Sequence, residues 1–415
     1  MHSRDWYEQR ASFYISTSRT LRGGMYLLLV LGLAGLAGGM AQGEYQRTWG
    51  SFLFNLFFFF SIALGGVAFG SMQDVIGATW GRPIKRLHEL ASGFLPLAAL
   101  FFALFLLSIK FDILGAKQVY PWIAQPGILE HTRGKKIWLQ PDFMLIRDLV
   151  ALLIICLLAK WHMGKTLARD LLLVGGKLRE AAEQGKRDQE SLRYWSAPVM
   201  IGYALCYTIL CFDLTMSLAP TWLSTLWAGW SFSIMMQTLF ALLLIGMFCL
   251  RDTPLGYYIK RQQFHDIGKL LHGFTVFFAY LTYSHVLTYW YTNIPEETSY
   301  FITRLQRPWL YLVLILPLFN FILPLFALIP KVSKWVSLIT IPLCVMILVA
   351  QWFTYFLVVM PEIITVSTVY LPWIEVSGAC FFLGCFLKAF FSFAARVPAL
   401  SLADPLLAQA LESEH

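Results

Sequence analysis

Charge is what this 415-residue sequence has least of: Asp, Glu, Lys and Arg together make up 13%, about half the share of an ordinary soluble domain. Beside 58% hydrophobic residues, with 34 Phe, 15 Trp and 18 Tyr, so few charges cannot cover a water-facing surface. That excludes a soluble enzyme, and equally a disordered or collagen-like chain. Cysteine is scarce as well. The seven residues, at 156, 206, 211, 249, 344, 380 and 385, lie in or against apolar stretches without a CxxC, a CxxCH or a Cys/His ligand spacing. The expectation is a chain with no iron–sulfur cluster, zinc ribbon or c-type haem of its own, and no disulfide framework. Acidic residues are outnumbered by basic ones, 24 to 32. The basic excess lies between apolar runs, which marks membrane topology and argues against nucleic-acid binding.

What the sequence has is long apolar runs. A helix needs about 20 mostly apolar residues to cross the hydrocarbon, and that ruler finds ten candidates, at 25–40, 51–71, 90–109, 143–161, 197–218, 226–250, 267–291, 309–328, 335–360 and 371–393. The first lacks a small-residue cleavage motif and is followed at once by another span, so it reads as an uncleaved helix. Lys and Arg favour the amino terminus, the even-numbered connections and the carboxyl tail by roughly three to one, which predicts a multi-pass protein of the bacterial cytoplasmic membrane with both termini cytoplasmic. Two connections are long. The one at 110–141 faces outside and is a candidate docking segment for a peripheral subunit. The one at 161–196 faces inside, and its run LLLVGGKLREAAEQGKRDQE predicts an amphipathic helix lying on the membrane surface. The connections after spans five and nine are short, which predicts tight hairpins of antiparallel neighbours.

Sliding the chain by 180 residues sets LASGFLPLAALFFAL from Leu90 against LLHGFTVFFAYLTYS from Leu270. Copies four spans apart run parallel, so the expected fold is all-α and polytopic, ten transmembrane helices in two four-helix bundles (spans 2–5 and 6–9) plus two peripheral helices. The corresponding segments are 1–23 (cytoplasmic), 24–50 (span 1 and its outer turn), 51–218 and 219–360 (the two bundles), 361–395 (span 10) and 396–415 (cytoplasmic tail). Gly35 with Gly39 and Gly66 with Gly70 offer close helix packing.

An ionisable group in the hydrocarbon costs at least about 2.5 kcal/mol on the insertion scale, so each needs a partner or a role. Toward the outer face lie Arg147, Asp148, Asp213, His285 and Glu375. Toward the inner face lie Asp74, His88, His265, Asp266, Lys269, His272 and Lys388. Neutral polar groups sit between them, among them Asn55, Tyr207, Gln237, Tyr280, Tyr283, Asn320 and Gln351. Of these, Asp148, Asp213, His285 and Glu375 are the candidates for an outer, quinol-proximal or proton-releasing site. Asp74, His265, Asp266 and His272 are the candidates for an inner proton path, because His and carboxylates exchange protons near neutral pH. A static alternative places Arg147 and Asp148 at the interface and the inner His and Lys at headgroup depth. The Trp222, Trp227, Trp230, Trp290 and Tyr291 groups read as aromatic belts. Gly164-Lys165-Thr166 ends like a phosphate loop but lacks its first glycine and its strand. His272 and His285 share one span about 20 Å apart by helical rise, which argues against bound haem.

Three stretches, RGKKIWLQPDFMLIRD, CFDLTMSLAPTWLSTLWAGW and DIGKLLHGFTVFFAYLTYSHVLTYWYTNIPEETSYFITR, resemble the F-type membrane subunit of bacterial alternative complex III, in the NrfD/polysulfide-reductase-C-like group. FDLTMSL and NIPEET are the specific phrases. The resemblance implies a subunit without its own redox centre in a quinol:cytochrome c or oxidase oxidoreductase. Its implied partners are a C-type NrfD-like sister subunit, a periplasmic iron–sulfur protein, multihaem c-type cytochromes and a terminal oxidase, with haem c and iron–sulfur clusters held by those partners. Menaquinol or ubiquinol would be the reductant. By motif, Asp213 stands at the family's outer hairpin aspartate, and Asp266 and His272 at the inner end of the span-seven motif. His285 falls where the family often carries Gln. The readings from other classes are a secondary transporter with parallel repeats and a non-catalytic membrane scaffold.

Overall fold

The computed structural model describes residues 14–15, 17–129, 133–364 and 372–412. Most of the amino-terminal segment, at 1–13 and 16, residues 130–132, residues 365–371 and the last three residues therefore lie outside the described residues. The described chain is helical, and nine of its helices are long and apolar enough to cross a membrane. We label the long helices α1 (Arg19–Ala41), α2 (Tyr45–Ile76), α3 (Arg82–Phe111), α4 (Pro141–Val174), α5 (Leu178–Leu214), α6 (Trp227–Leu250), α7 (Arg261–Thr292), α8 (Trp309–Ala327), α9 (Ser337–Ile363) and α10 (Trp373–Ala394). The protein is an all-α, multi-pass membrane protein. The one expected span not among the nine is the fourth, at 143–161; it falls on α4, which carries Arg147, Asp148, Lys160 and Lys165 along its 34 residues. The described chain begins and ends at one face, the near face; the hairpin at 215–226 lies at the opposite, far face.

α2 is the axis. Its run FNLFFFFSIALGGVAFG is apolar nearly all round, with Asn55 and Ser61 its polar residues, as suits a fully enclosed helix, and 94% of its apolar window is buried inside the protein. Phe57 stacks on Tyr207 of α5 and meets Tyr355 of α9 and Phe102 of α3. Around this axis α2, α3, α4 and α5 close one four-helix ring. In the other, α6 packs on α7 and α9, and α8 touches both α7 and α9. α1 and α10 pack on each other and against α2. Their contact depends on missing side chains: a Cβ at Gly32 would collide with the backbone of Phe381, and one at Gly35 with the Ser377 hydroxyl. Without a hydrophobic drive between helices in lipid, such close approach supplies the van der Waals contact that holds them.

The structure corrects two expectations about connections. The run at 161–196 does not lie on the membrane surface. α4 continues through it to Val174, turns at Gly175–Lys177 with Gly176 left-handed (φ +77°), and α5 starts at Leu178. Its apolar stripe covers protein instead: Leu173 and Ala181 pack with Leu400 and Leu402 of the carboxyl tail. The second concerns α9 and α10, which each pack on α2 and hardly on each other, because the glycine-lined face of α1 claims α10.

Replacing Gly32 with Leu is expected to force α1 from α10 at a cost of about 1–3 kcal/mol. Thermal unfolding in detergent measures it; an unchanged midpoint would remove the packing argument.

Candidate functional site

Ionisable side chains gather in two places. At the near face, the last turn of α2 brings Asp74 to the start of α3, where Arg82 Nη1 donates to it at 2.7 Å and Lys85 Nζ at 2.8 and 3.0 Å. One turn on, Arg86 bonds Glu89 at 2.9 Å and makes a short bond to Asp170 of α4. Arg169 donates to Asp404 of the tail at 2.7 Å, and Arg82 reaches the same carboxylate at 3.2 Å. Four cations thus meet four carboxylates, all essentially buried. His162 of α4 sits among them. Its Nδ1 is 3.0 Å from Ser71 Oγ, and its Nε2 faces Asp74 and Glu89 at 3.5 and 3.6 Å without a hydrogen bond.

Of the four inner candidates this cluster takes only Asp74. His265, Asp266 and His272 lie half-buried along α7, where Asp266 is tied to Gln262 at 3.1 and 3.0 Å and to Lys269 at 2.6 Å. Among the described residues no hydrogen bond or ion pair joins them to Asp74. The sequence reading missed Arg82, Lys85, Arg86, Glu89, His162, Arg169, Asp170 and Asp404 because they fall outside the apolar windows drawn for the spans. The Arg86–Glu89 spacing of three along a helix was a usable signal; for Asp404, in the tail, there was none.

The second gathering is at the far face. Asp213, fully buried at the end of α5, accepts from Trp138 Nε1 at 2.8 Å and from Arg147 Nε and Nη2 at 2.8 and 2.5 Å. Arg147 also lies over the Trp138 ring at 3.8 Å. Asp148, one residue on, turns inward to face the Asp213 carboxyl, and neither of its buried oxygens has a hydrogen-bond donor. Tyr120 closes the group by donating to the Leu214 carbonyl at 3.1 Å. Burial first, then Asp148 and Asp213, push its phenol well above its ordinary value, so it stays a neutral donor. Beside this group opens a cavity of about 290 Å³ lined by Trp138, Phe212, Met216, Trp222 and Leu223. Lys135 pins its rim by donating to the Pro220 and Trp222 carbonyls at 2.7 and 3.0 Å.

The other two outer candidates stand apart. His285 bonds Ser224 Oγ at 2.8 Å inside a wall of Trp222, Trp227 and Trp230. Those three tryptophans are buried and form a cage, which corrects the belt reading; Trp290 and Tyr291 are exposed as a belt requires. Trp222 lines both the His285 cage and the cavity beside Asp213. Glu375 is held by Arg47 through two bonds at 2.7 and 2.9 Å, a bidentate pair that locks α10 to α2.

Between the faces, the second ring carries neutral amides. Gln237 of α6 donates to Thr275 of α7 and to the Asn320 carbonyl of α8, both at 3.0 Å, and accepts a short bond from Gln351 of α9. Asn320 lies in a π-helical turn, Leu318–Ile322, flanked by Pro317 and Pro324.

Chemically the two gatherings differ. Near-face ions cancel, and removing one partner of a buried pair leaves the other unpaired at about 3–5 kcal/mol; that cluster holds structure together. At the far face one guanidinium meets two carboxyls beside an apolar cavity, so charge balance leaves room for a proton. Comparison with known protein families and with curated proteins returns no match.

Burial alone would raise the Asp404 carboxyl, but Arg169, Lys85 and Arg82 outweigh it and hold the group below the ordinary carboxylate range. A depressed folded value means that its contribution is fully present above the unfolded value and is lost as pH falls through the folded one. Tail docking is therefore expected to persist at neutral pH and weaken only below the usual Asp range, and Asp404→Asn to weaken it already at neutral pH. Limited proteolysis of the tail against pH reads both; a tail equally protected in wild type and variant overturns the assignment.

Proposed function

We propose that this chain is an integral subunit, without a redox centre of its own, of a quinol-oxidising electron-transfer complex in a bacterial cytoplasmic membrane, with the near face cytoplasmic. The observation that carries the reading is the Asp148–Asp213 pair at the far face, beside an aromatic cavity of about 290 Å³, a volume suited to a flat ring. Oxidation of a quinol to a quinone releases two electrons and two protons. The electrons would pass to haem c and iron–sulfur centres in partner subunits. The protons need a base at the far face, and the carboxyl pair is one: Arg147 offsets one negative charge, and the second carboxyl is where a proton can rest before release. Two of the three sequence stretches resembling alternative complex III run through these same residues, with Trp138, Arg147 and Asp148 in the first and Asp213 and Trp222 in the second. They support a C-type sister subunit, a periplasmic iron–sulfur protein, multihaem cytochromes and a terminal oxidase as partners, and menaquinol or ubiquinol as reductant.

A second reading, a secondary transporter, is favoured by one feature. The π-helical turn of α8 puts Asn320 at mid-depth against Gln237 and Thr354, and broken helices with polar groups at that depth bind cargo in transporters.

Mild-detergent purification followed by a reduced-minus-oxidised spectrum and a quinol:cytochrome c assay separates the two: haem c bands with quinol-dependent reduction support the first, and a lone colourless protein supports the second. Within the first, Asp213→Asn is expected to lower turnover roughly a hundredfold, the scale of a lost acid–base group, or to lower the proton yield, while the complex stays assembled. Wild-type turnover with an unchanged proton yield counts against it. Asp266→Asn combined with His272→Ala tests the α7 residues as an inner proton path; normal proton stoichiometry in that variant sinks this role.

A further inference from the structure

The near-face end of α7 gathers base without matching acid. His265, Gly268 and His272 follow one another at three- and four-residue steps and so share one side of the helix. The loop joining α8 to α9 lies across that side. A Cβ at Gly268 would meet the Lys334 side chain at 2.8 Å, so the lysine stem crosses α7 where glycine leaves room. Its charge acts on both His265, one turn before, and His272, one turn after, and Lys331 bears on the same group. The carboxylate that faces them, Asp266, is already taken by Lys269 at 2.6 Å and by Gln262. Lys334 is only 5% exposed, yet among the described residues its ammonium has neither a hydrogen-bond acceptor nor a counter-ion. Every other buried Lys or Arg among them, namely Arg82, Lys85, Arg86, Arg169 and Arg304, meets a carboxylate. Burial, and after it Lys269 and Lys331, push the Lys334 ammonium below its ordinary value, which a bound anion would offset. The surroundings are fixed. Ser333 Oγ donates to the Pro330 carbonyl at 2.8 Å, Thr340 Oγ1 makes a short bond to the Ser333 carbonyl, and Arg261 lies over the Trp335 ring at 5.8 Å. The Nδ1 atoms of His265 and His272 are enclosed without partners, so Nε2 is the edge each ring can offer. Lipid touches the same loop: Ile329, Val332 and Leu338 are 60%, 58% and 84% exposed. Apolar side chains so exposed between two spans belong at the boundary of acyl chains and headgroups, which is the depth of lipid phosphates.

We infer that the cleft between α7 and the loop at 328–336 binds the phosphate of an anionic phospholipid, with Lys334 as its central contact, Lys331 and the two free histidine edges around it, and the acyl chains along the exposed apolar residues of the loop. A phosphate diester supplies the negative charge that Lys334 lacks within the chain, through charge-assisted hydrogen bonds. A zwitterionic lipid brings its own cation to the same place and loses the preference. Because the Lys334 stem is packed on Gly268, its ammonium gives up little freedom when the lipid binds. The inference is independent of the electron-transfer reading, since it uses only the chain's place in a membrane.

The test uses the full chain, purified in mild detergent with the subunits that remain attached, stripped of lipid and titrated with phosphatidylglycerol or phosphatidylcholine. Native mass spectrometry counts the lipid bound. One phosphatidylglycerol is expected to bind about fivefold more tightly than phosphatidylcholine, and Lys334→Gln to weaken it by a similar factor, the weight of one cation at the membrane surface. Lys331→Gln, at an exposed position where packing is not disturbed, is expected to cost about as much, and it keeps the inference testable if the Lys334 variant does not fold. Lys186→Gln, exposed elsewhere, should leave the affinity unchanged. Equal binding of the two lipids, or unchanged affinity in the Lys331 and Lys334 variants, would overturn the inference. Displacement of the lipid by an equal concentration of inorganic phosphate would show a site for free phosphate and overturn the lipid assignment.

Discussion

Charge neutrality in a low-dielectric interior is the constraint from which the near-face architecture follows. Asp74, Glu89, Asp170 and Asp404 come from four different stretches of chain, and Arg82, Lys85, Arg86 and Arg169 are spaced so that no carboxylate is without a cation. Meeting that condition fixes the turn between α2 and α3, the depth to which α4 extends, and the place of the tail. Buried pairs of this kind add little net stability over apolar packing, but they penalise every arrangement in which one member is missing. Their value to this protein is in specifying which helix ends meet.

The two rings answer the cost of buried polarity differently. The first places its ions at the two ends, with an axis of phenylalanines between them that Asn55 and Ser61 interrupt. The second carries no such clusters and instead threads amides and hydroxyls across its middle, from Gln237 through Asn320 to Thr354. Neutral amides can be satisfied by side chains and by the carbonyls that a proline-flanked π turn frees, so the second ring carries amides at a depth where the first carries hydroxyls such as the Ser61–Tyr207 pair.

The all-α, multi-pass architecture was legible because apolar spans depend on runs of 15 or more residues, and hydropathy averages well over such lengths, although nine helices and not ten are long and apolar enough to cross a membrane among the described residues. Asp213 was legible for another reason, since a lone carboxylate inside an apolar run is conspicuous. What could not be read was partnership. Arg147 and Asp148 are neighbours in sequence, but successive residues on a helix point about 100° apart, and the guanidinium turns to Asp213 while Asp148 turns inward. The run at 161–196 has the amphipathic pattern of a surface helix because a stripe that covers a tail and one that covers lipid have the same period. His265, Asp266 and His272 were grouped with Asp74 by depth alone, and depth says nothing of which helix stands beside which.

The place of Asp404 in the chain sets an order of assembly. The segment after α10 is made after both rings, and until it arrives the near-face cluster holds four cations against three carboxylates, with Arg169 lacking the partner that Asp404 gives it. The first ring can be inserted and roughly packed by then, but it cannot settle at that end. Completion of the first ring therefore waits on residues made after the second, so the docked segment ties the packing of the earlier ring to synthesis past α10.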